Sequence, residues 1–130
     1  MTKVAIMQPT YLPWHGYFGL MTKVDYFVVL DHVQFNKRSW QQRNRIKTQS
    51  GIIYLTVPVL SKGKSDQLIN NVLINKDLNF VKKHLNSIKH NYCKSDYFNY
   101  FFSKISKILN LNHSYLYDLN LDLIKFFKHE

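Results

Sequence analysis

Two strand-sized apolar runs on either side of one helix-length stretch constrain this chain most. Lys3–Gln8 alternates β-branched and small residues and stops at Pro9, and Tyr26–Leu30 is continuously apolar. Between them, Trp14, Tyr17, Phe18, Leu20, Met21 and Val24 recur at helical spacing over Trp14–Lys23. The order is β-loop-α-β. A crossover of that length makes the two strands parallel and the connection right-handed. Both strands read as buried, and the unbroken second run is typical of a strand covered on both faces. Pro9 and Pro13 fix the ends of the intervening loop, with Tyr11 between them.

Asp31–Ser50 reads as a polar connection with few periodic apolar residues, and connections of that length are often functional. Ile52–Val59 is predicted to be a strand after a Ser50-Gly51 turn. Ser61–Asp66 is a second turn, and Leu68–Ile74 a further strand. The remainder is helical. One apolar face carries Leu78, Val81, Leu85 and Ile88, a second Phe98, Phe101, Phe102, Ile105, Ile108 and Leu109, and a third Leu116, Leu119, Leu123, Ile124 and Phe127. Ser95 and Ser114 are the expected caps of the last two. The aromatic stripes are assigned to packing. The predicted fold is therefore α/β: a Rossmann-like parallel-sheet core over residues 1–75, with its β-loop-α-β start, and a helical C-terminal region over 76–130 packed on it as a single domain. The third helix runs almost to Glu130 with no strand after it. That leads to the expectation of a homo-oligomer or a missing C-terminal half.

Lys and Arg number 18 against 8 for Asp and Glu, a net charge of +10. Such a balance favours anionic partners, although a chain whose default cation is lysine can also carry that charge as a solvated surface. Cys93 is the only cysteine, so neither an internal disulfide nor a Cys-based zinc cluster is open to the chain. No apolar run approaches the ~18 residues of a membrane span, and no leader is visible, which predicts a cytoplasmic protein with no membrane span. There is no Gly-x-Gly-x-x-Gly, no P-loop and no nucleophile elbow. Glu130 is the only glutamate, so carboxylate chemistry falls to aspartates, with Asp31 at the end of the second strand the best placed. His15 and His32 follow neighbouring strand ends and would converge there. With Asp31 they are too sparse for a metal site, and none is expected. His113 and His129 read as solvent-facing.

The arginines carry the functional signal. Arg38, Arg43 and Arg45 are the only three in the chain and lie within eight positions, flanked by Lys37 and Lys47. A planar guanidinium binds phosphate or carboxylate through two parallel hydrogen bonds. In an open α/β sheet, ligands bind beyond the carboxyl ends of the strands. The first block reaching that crevice offers Gln8, Pro9, Tyr11, Trp14, Gly16 and Tyr17, with a helix N-terminus near Trp14. The second offers Gln34, Lys37, Arg38, Trp40, Arg43, Asn44, Arg45 and Lys47. Together they suit a nucleotide or nucleotide-linked sugar. Gln8, Trp14 and Tyr17 would line the base or sugar, and Arg38, Arg43, Arg45 and Lys47 would hold phosphates. Asp31 would act as general base or sugar-hydroxyl acceptor, with His15 the second catalytic candidate. Trp40 among the arginines also suits a basic nucleic-acid-binding module, though the lysines are spread along the chain and no reading motif is present. A third reading is a non-catalytic accessory subunit that docks through its Tyr/Phe-rich helices.

The run Val4-Ala5-Ile6-Met7-Gln8-Pro9-Thr10-Tyr11-Leu12-Pro13-Trp14, followed by Gly16-Tyr17-Phe18, resembles the opening of the WbqC-like family. So do Asp31-His32-Val33-Gln34-Phe35, Lys37-Arg38-Ser39-Trp40-Gln41, Arg43-Asn44-Arg45-Ile46-Lys47-Thr48 and Leu55-Thr56-Val57-Pro58-Val59. The resemblance covers essentially the whole chain. It implies a role in synthesis of surface polysaccharide (O-antigen, lipopolysaccharide or capsule), a nucleotide-sugar ligand, and acyl or aminoacyl transfer to an amino sugar. Members of the family generally continue well past this length. The order of strand, Pro-Thr loop, helix and Asp-Tyr-Phe-Val-Val strand is also similar to the start of pantothenate synthetases, nucleotidyltransferases of the HIGH type. That likeness implies ATP or another nucleotide as cofactor and ATP-dependent amide formation. The paired histidines of that motif fall on Trp14 and Tyr17 here. Neither carries a positive charge, so Arg38, Arg43, Arg45 or His15 would have to replace them.

Overall fold

The computed structural model describes residues 1–130. β1 (Val4–Met7), α1 (His15–Met21) and β2 (Tyr26–Val29) form the expected unit. β1 and β2 pair in parallel, with Val4 opposite Tyr26 and Met7 opposite Val29. Tyr17 of α1 packs edge-on against Phe27 at 5.2 Å, which closes one face of the pair. The expected burial of both faces is not met: Val4, Ile6, Tyr26 and Val28 are all exposed. The single crossover helix covers one side only, and period-two alternation sends these four side chains to the other.

Two further expectations are corrected. The chain has two two-stranded sheets in a mixed α/β arrangement, and the parallel pairing stops at β1 and β2. The second sheet begins inside the segment expected to be a loop. β3 (Arg43–Thr48) pairs antiparallel with β4 (Gly51–Thr56) across a tight turn at Gln49–Ser50. Gly51, at φ 127°, takes the backbone conformation that closes this turn. β3 escaped the hydrophobic pattern because Arg43, Arg45 and Lys47 alternate with Asn44, Ile46 and Thr48, leaving one apolar residue in six. Leu68–Ile74 does not form a strand. A single 3-10 turn occupies Ile69–Asn71, flanked by isolated bridges from Leu68 to Gln34, Ile74 to Val59 and Leu73 to Tyr115. The run is apolar because Ile69 and Val72 are core residues.

α2 (Phe80–Tyr92), α3 (Phe98–Leu109) and α4 (Leu116–Lys128) complete the chain. The Asn79 side chain accepts the Lys82 N–H at the start of α2, while α3 and α4 begin at Tyr97 and Tyr115 without side-chain caps. Ser114 is used otherwise: its carbonyl accepts the Ile74 N–H and its hydroxyl meets Lys76. The core is continuous from end to end of the chain. Tyr11, Leu55 and Val57 join Ile69 and Val72, and these join Ile105, Leu109, Leu116, Leu119 and Leu123 of the last two helices. No helix is long and apolar enough to cross a membrane.

Candidate functional site

The segment between β1 and α1 is tied down by side-chain amides. Asn44 Nδ2 donates to the carbonyls of Tyr11 (3.2 Å) and Leu12 (2.6 Å). Asn120, with no exposed surface, donates to the carbonyls of Gln41 (2.8 Å) and Pro9 (3.4 Å). Gln41 Nε2 donates to Gln8 Oε1 at 2.7 Å, and the Tyr11 N–H reaches the Trp40 carbonyl at 3.0 Å. Leu12 is held at φ 46°, in the left-handed region that a leucine rarely adopts, by the Asn44 bond to its own carbonyl.

Below this loop, the fully buried Tyr11 donates its hydroxyl to His84 Nδ1 at 2.8 Å, and His84 Nε2–H donates to the Thr56 carbonyl at 3.2 Å. Burial pushes the Tyr11 hydroxyl far above its ordinary range. It pushes His84 down to about 4, partly opposed by the Thr56 bond, so the ring is neutral at physiological pH with both nitrogens used. Tyr17 is also buried and pushed up to about 12, and its hydroxyl donates to the Gln8 carbonyl at 3.1 Å.

Above the loop lies a cavity of about 320 Å³ at the carboxyl end of β1. Met7, Thr10 and Tyr17 line it from the β1–α1 side, and Trp40, Asn44 and Arg45 from the hairpin side, with Trp14 completing it. Both indoles are open to solvent, Trp14 at 63% and Trp40 at 47%. The Arg45 guanidinium lies 5.2 Å from the Trp40 ring centre, and that of Arg43 lies 4.3 Å from the Tyr54 ring. A guanidinium parked on an aromatic face keeps its edge donors free for an oxyanion. Thr10 Oγ1 is shielded and meets no hydrogen-bond partner in the protein. Gly16 sets the position of Trp14: a Cβ there would stand 1.9 Å from the indole, so only glycine lets the ring lie on the start of α1.

Five of the residues singled out from sequence meet in this cavity: Trp14, Tyr17, Trp40, Asn44 and Arg45. Others serve the scaffold. Gln8, Pro9 and Tyr11 are committed to the contacts above. Gln34 Nε2 donates to the Ser65 carbonyl, and Arg38, at φ 58°, gives its N–H to Gln42 Oε1. Lys37 and Lys47 are exposed, the latter with its N–H on the Tyr92 hydroxyl. The two catalytic candidates do not line the cavity. Asp31 lies 3.4 Å from His32 and close enough to Tyr117 that its charge, after burial, helps raise that hydroxyl. His15 is exposed and edge-on to Trp14 at 5.4 Å. His113 is not solvent-facing as expected, its side chain being 9% exposed beside Asp122.

Sequence reasoning missed Met7 and Thr10 as lining residues and Gln41, His84 and Asn120 as struts. The signal for them was the family resemblance, whose motifs include Met7, Thr10 and Gln41, and not residue spacing.

The family model described as the WbqC-like protein family matches residues 8–130. The chain is similar to the uncharacterized protein Rv1507c of Mycobacterium tuberculosis, with 44% identity over 98 residues, covering 75% of this chain and 42% of the relative. It thus spans about two-fifths of the length of the curated relative it matches. No solved structure matches.

Proposed function

The chain belongs to the WbqC-like protein family, and from that premise we propose that it binds a nucleotide or nucleotide-linked sugar between Trp14 and Trp40, in the service of surface-polysaccharide synthesis. The observation that carries the reading is the Arg45 guanidinium resting on Trp40 at the wall of a cavity whose other aromatic face is Trp14. Flat exposed indoles take a base or sugar ring by stacking, and the adjacent guanidinium takes a phosphate by a bidentate contact. Thr10 lines the same cavity, with its Oγ1 shielded from solvent. In this reading β1, α1 and β2 act as the nucleotide-facing start of a Rossmann-like core, with the ligand at the strand ends. Asp31 and His15 stand outside the contact surface, so the activity proposed here is binding.

A second reading rests on β3. Arg43, Arg45 and Lys47 alternate along one face of the strand, and their cross-strand partners Thr56, Tyr54 and Ile52 share that face. Such a strip of cations and an aromatic ring suits single-stranded nucleic acid.

Calorimetric titration at physiological salt separates the two. ATP and UDP-, dTDP- and GDP-linked amino sugars are titrated against the wild-type chain and Arg45→Ala. Saturable binding of one nucleotide class is expected, with about tenfold weaker affinity in the variant and an unchanged unfolding midpoint. Absence of nucleotide binding, or equal affinity in Arg45→Ala, overturns the proposal. Binding of a short RNA that falls steeply with salt supports the second reading.

A further inference from the structure

One base is told from another by the donors and acceptors on its edge, so a site reads identity only with open polar groups in its wall. The Trp14–Trp40 cavity has few. Asn44 has both Nδ2 protons on the Tyr11 and Leu12 carbonyls, and its Oδ1 takes the Arg45 N–H. The buried Tyr17 hydroxyl is turned to the Gln8 carbonyl. Thr10 Oγ1 is shielded from solvent, and the Met7 carbonyl holds the Leu30 N–H at 2.8 Å. No aspartate or glutamate lines the cavity. What remains open is the Arg45 guanidinium and the two exposed indoles. All three are donors only, and an indole N–H lies in the plane of its ring, out of reach of a base stacked on that ring's face.

The amino groups that mark adenine, guanine and cytosine therefore meet no open acceptor in this wall. Recognition falls to ring faces and charge. Trp14 lies against Gly16 and Trp40 carries Arg45, which leaves each indole a face to offer. Stacking on such faces tolerates any base, and its modest preferences follow stacking strength. Arg45 is the one cation in the wall, enough to hold one phosphate by a bidentate contact. Arg43 stands on Tyr54, outside the wall.

Granted nucleotide binding at this cavity, on which the step rests, we infer that the site selects by ring area and a single phosphate and is blind to the edge of the base. Its ligand class is then the purine nucleotides, adenine and guanine alike. Selection of any sugar carried beyond the phosphate falls to groups outside this cavity.

The test is calorimetric titration of the full chain at physiological salt with AMP, GMP, UMP, dTMP, ADP and adenosine. AMP and GMP should bind alike within about threefold, and about tenfold tighter than UMP and dTMP. ADP should gain less than about threefold over AMP, and adenosine should bind about tenfold more weakly than AMP. Trp14 is exposed, so Trp14→Leu should fold normally, weaken AMP and GMP by the same factor and shrink the preference for purines. A gap of more than about tenfold between AMP and GMP overturns the inference, because a polar group would then be reading the edge. Equal affinity for purines and pyrimidines overturns it too, as does unchanged purine binding in Trp14→Leu. In each of these cases nucleotide binding itself stands. Absence of binding by every probe removes the nucleotide reading, and the purine class with it.

Discussion

Acidification should unfasten the loop beneath the Trp14–Trp40 cavity through one residue, His84. In the folded chain its Nδ1 accepts the Tyr11 hydroxyl and its Nε2–H is on the Thr56 carbonyl, with the residue 4% exposed. A second proton would have to go on Nδ1, in place of the bond from Tyr11 and without water to solvate the charge. Burial accordingly lowers the ring from an ordinary 6.5 to about 4. The sign follows from proton counting. Between about pH 6.5 and 4 the unfolded chain holds more protons on this group than the folded chain, so stability falls as pH falls through that window and is flat above it. The whole gap is worth roughly 3 kcal/mol, and about 2.5 kcal/mol of it is already lost near pH 4.5. Urea unfolding of wild type and His84→Gln near pH 7.5 and 4.5 isolates the effect, because the other histidines and the aspartates are common to both proteins. The variant, less stable at neutral pH, should lose about 2.5 kcal/mol less on acidification. Equal losses in the two proteins would refute the reasoning. Should His84→Gln fail to fold, the wild-type imidazole titration decides: a His84 resonance titrating near pH 6.5 sinks the account equally well.

Gly16→Ala should leave the unfolding midpoint nearly unchanged while weakening nucleotide binding about tenfold, because the new methyl expels the Trp14 indole from its place on α1; tryptophan fluorescence and calorimetry read the two effects separately. Asn120→Leu should cost roughly 1–3 kcal/mol in urea unfolding, since it strands the buried carbonyls of Gln41 and Pro9. Thr10→Val should match or exceed wild-type stability, because it removes a shielded hydroxyl that has no partner.

What was legible from sequence is what local pattern controls. The β1–α1–β2 unit followed from two apolar runs and a helical stripe, and three helices from their amphipathic faces. β3 was not legible, because a strand carrying Arg43, Arg45 and Lys47 on its open face presents polar residues at every second position and polar Asn44 and Thr48 on the other face too. Its partner β4 supplies Leu55 to the core instead. The parallel pair expected from the β-loop-α-β order is present, and no further strand joins it: Tyr26–Val29 has one packed face and one open one. At the site, residue type did not tell which side chains the protein's own contacts take up. Trp14, Trp40 and Arg45 meet as their chemistry suggested. Which buried polar atoms end without a partner, Thr10 Oγ1 among them, depends on long-range packing that no spacing rule contains.

The amides show why role and type part company. Asn44 and Tyr11 carry groups one would assign to a nucleotide base, yet both are consumed by the protein, and Gln8 accepts from Gln41 through its Oε1. Asn44 gives both Nδ2 protons to the Tyr11 and Leu12 carbonyls, and its Oδ1 accepts the Arg45 N–H at 2.7 Å. A loop that bends through Leu12 at φ 46° leaves carbonyls without regular partners, and side-chain amides are the groups able to fill them. The side chains free to meet a ligand are then those with nothing to offer the backbone: two indoles and a guanidinium. Because Asn44 fixes both the loop and the backbone of Arg45, it couples the two walls of the cavity. Such a site is set before the ligand arrives, and little of the binding free energy is lost to ordering it. Asn44→Ala should therefore weaken nucleotide binding without Asn44 touching the ligand, by releasing Leu12 and letting the Trp14 and Arg45 walls move independently. In that variant the Leu12 backbone should relax out of the left-handed region, visible in its Cα and Cβ chemical shifts. Unchanged shifts with lost binding would instead place the Asn44 amide on the ligand itself.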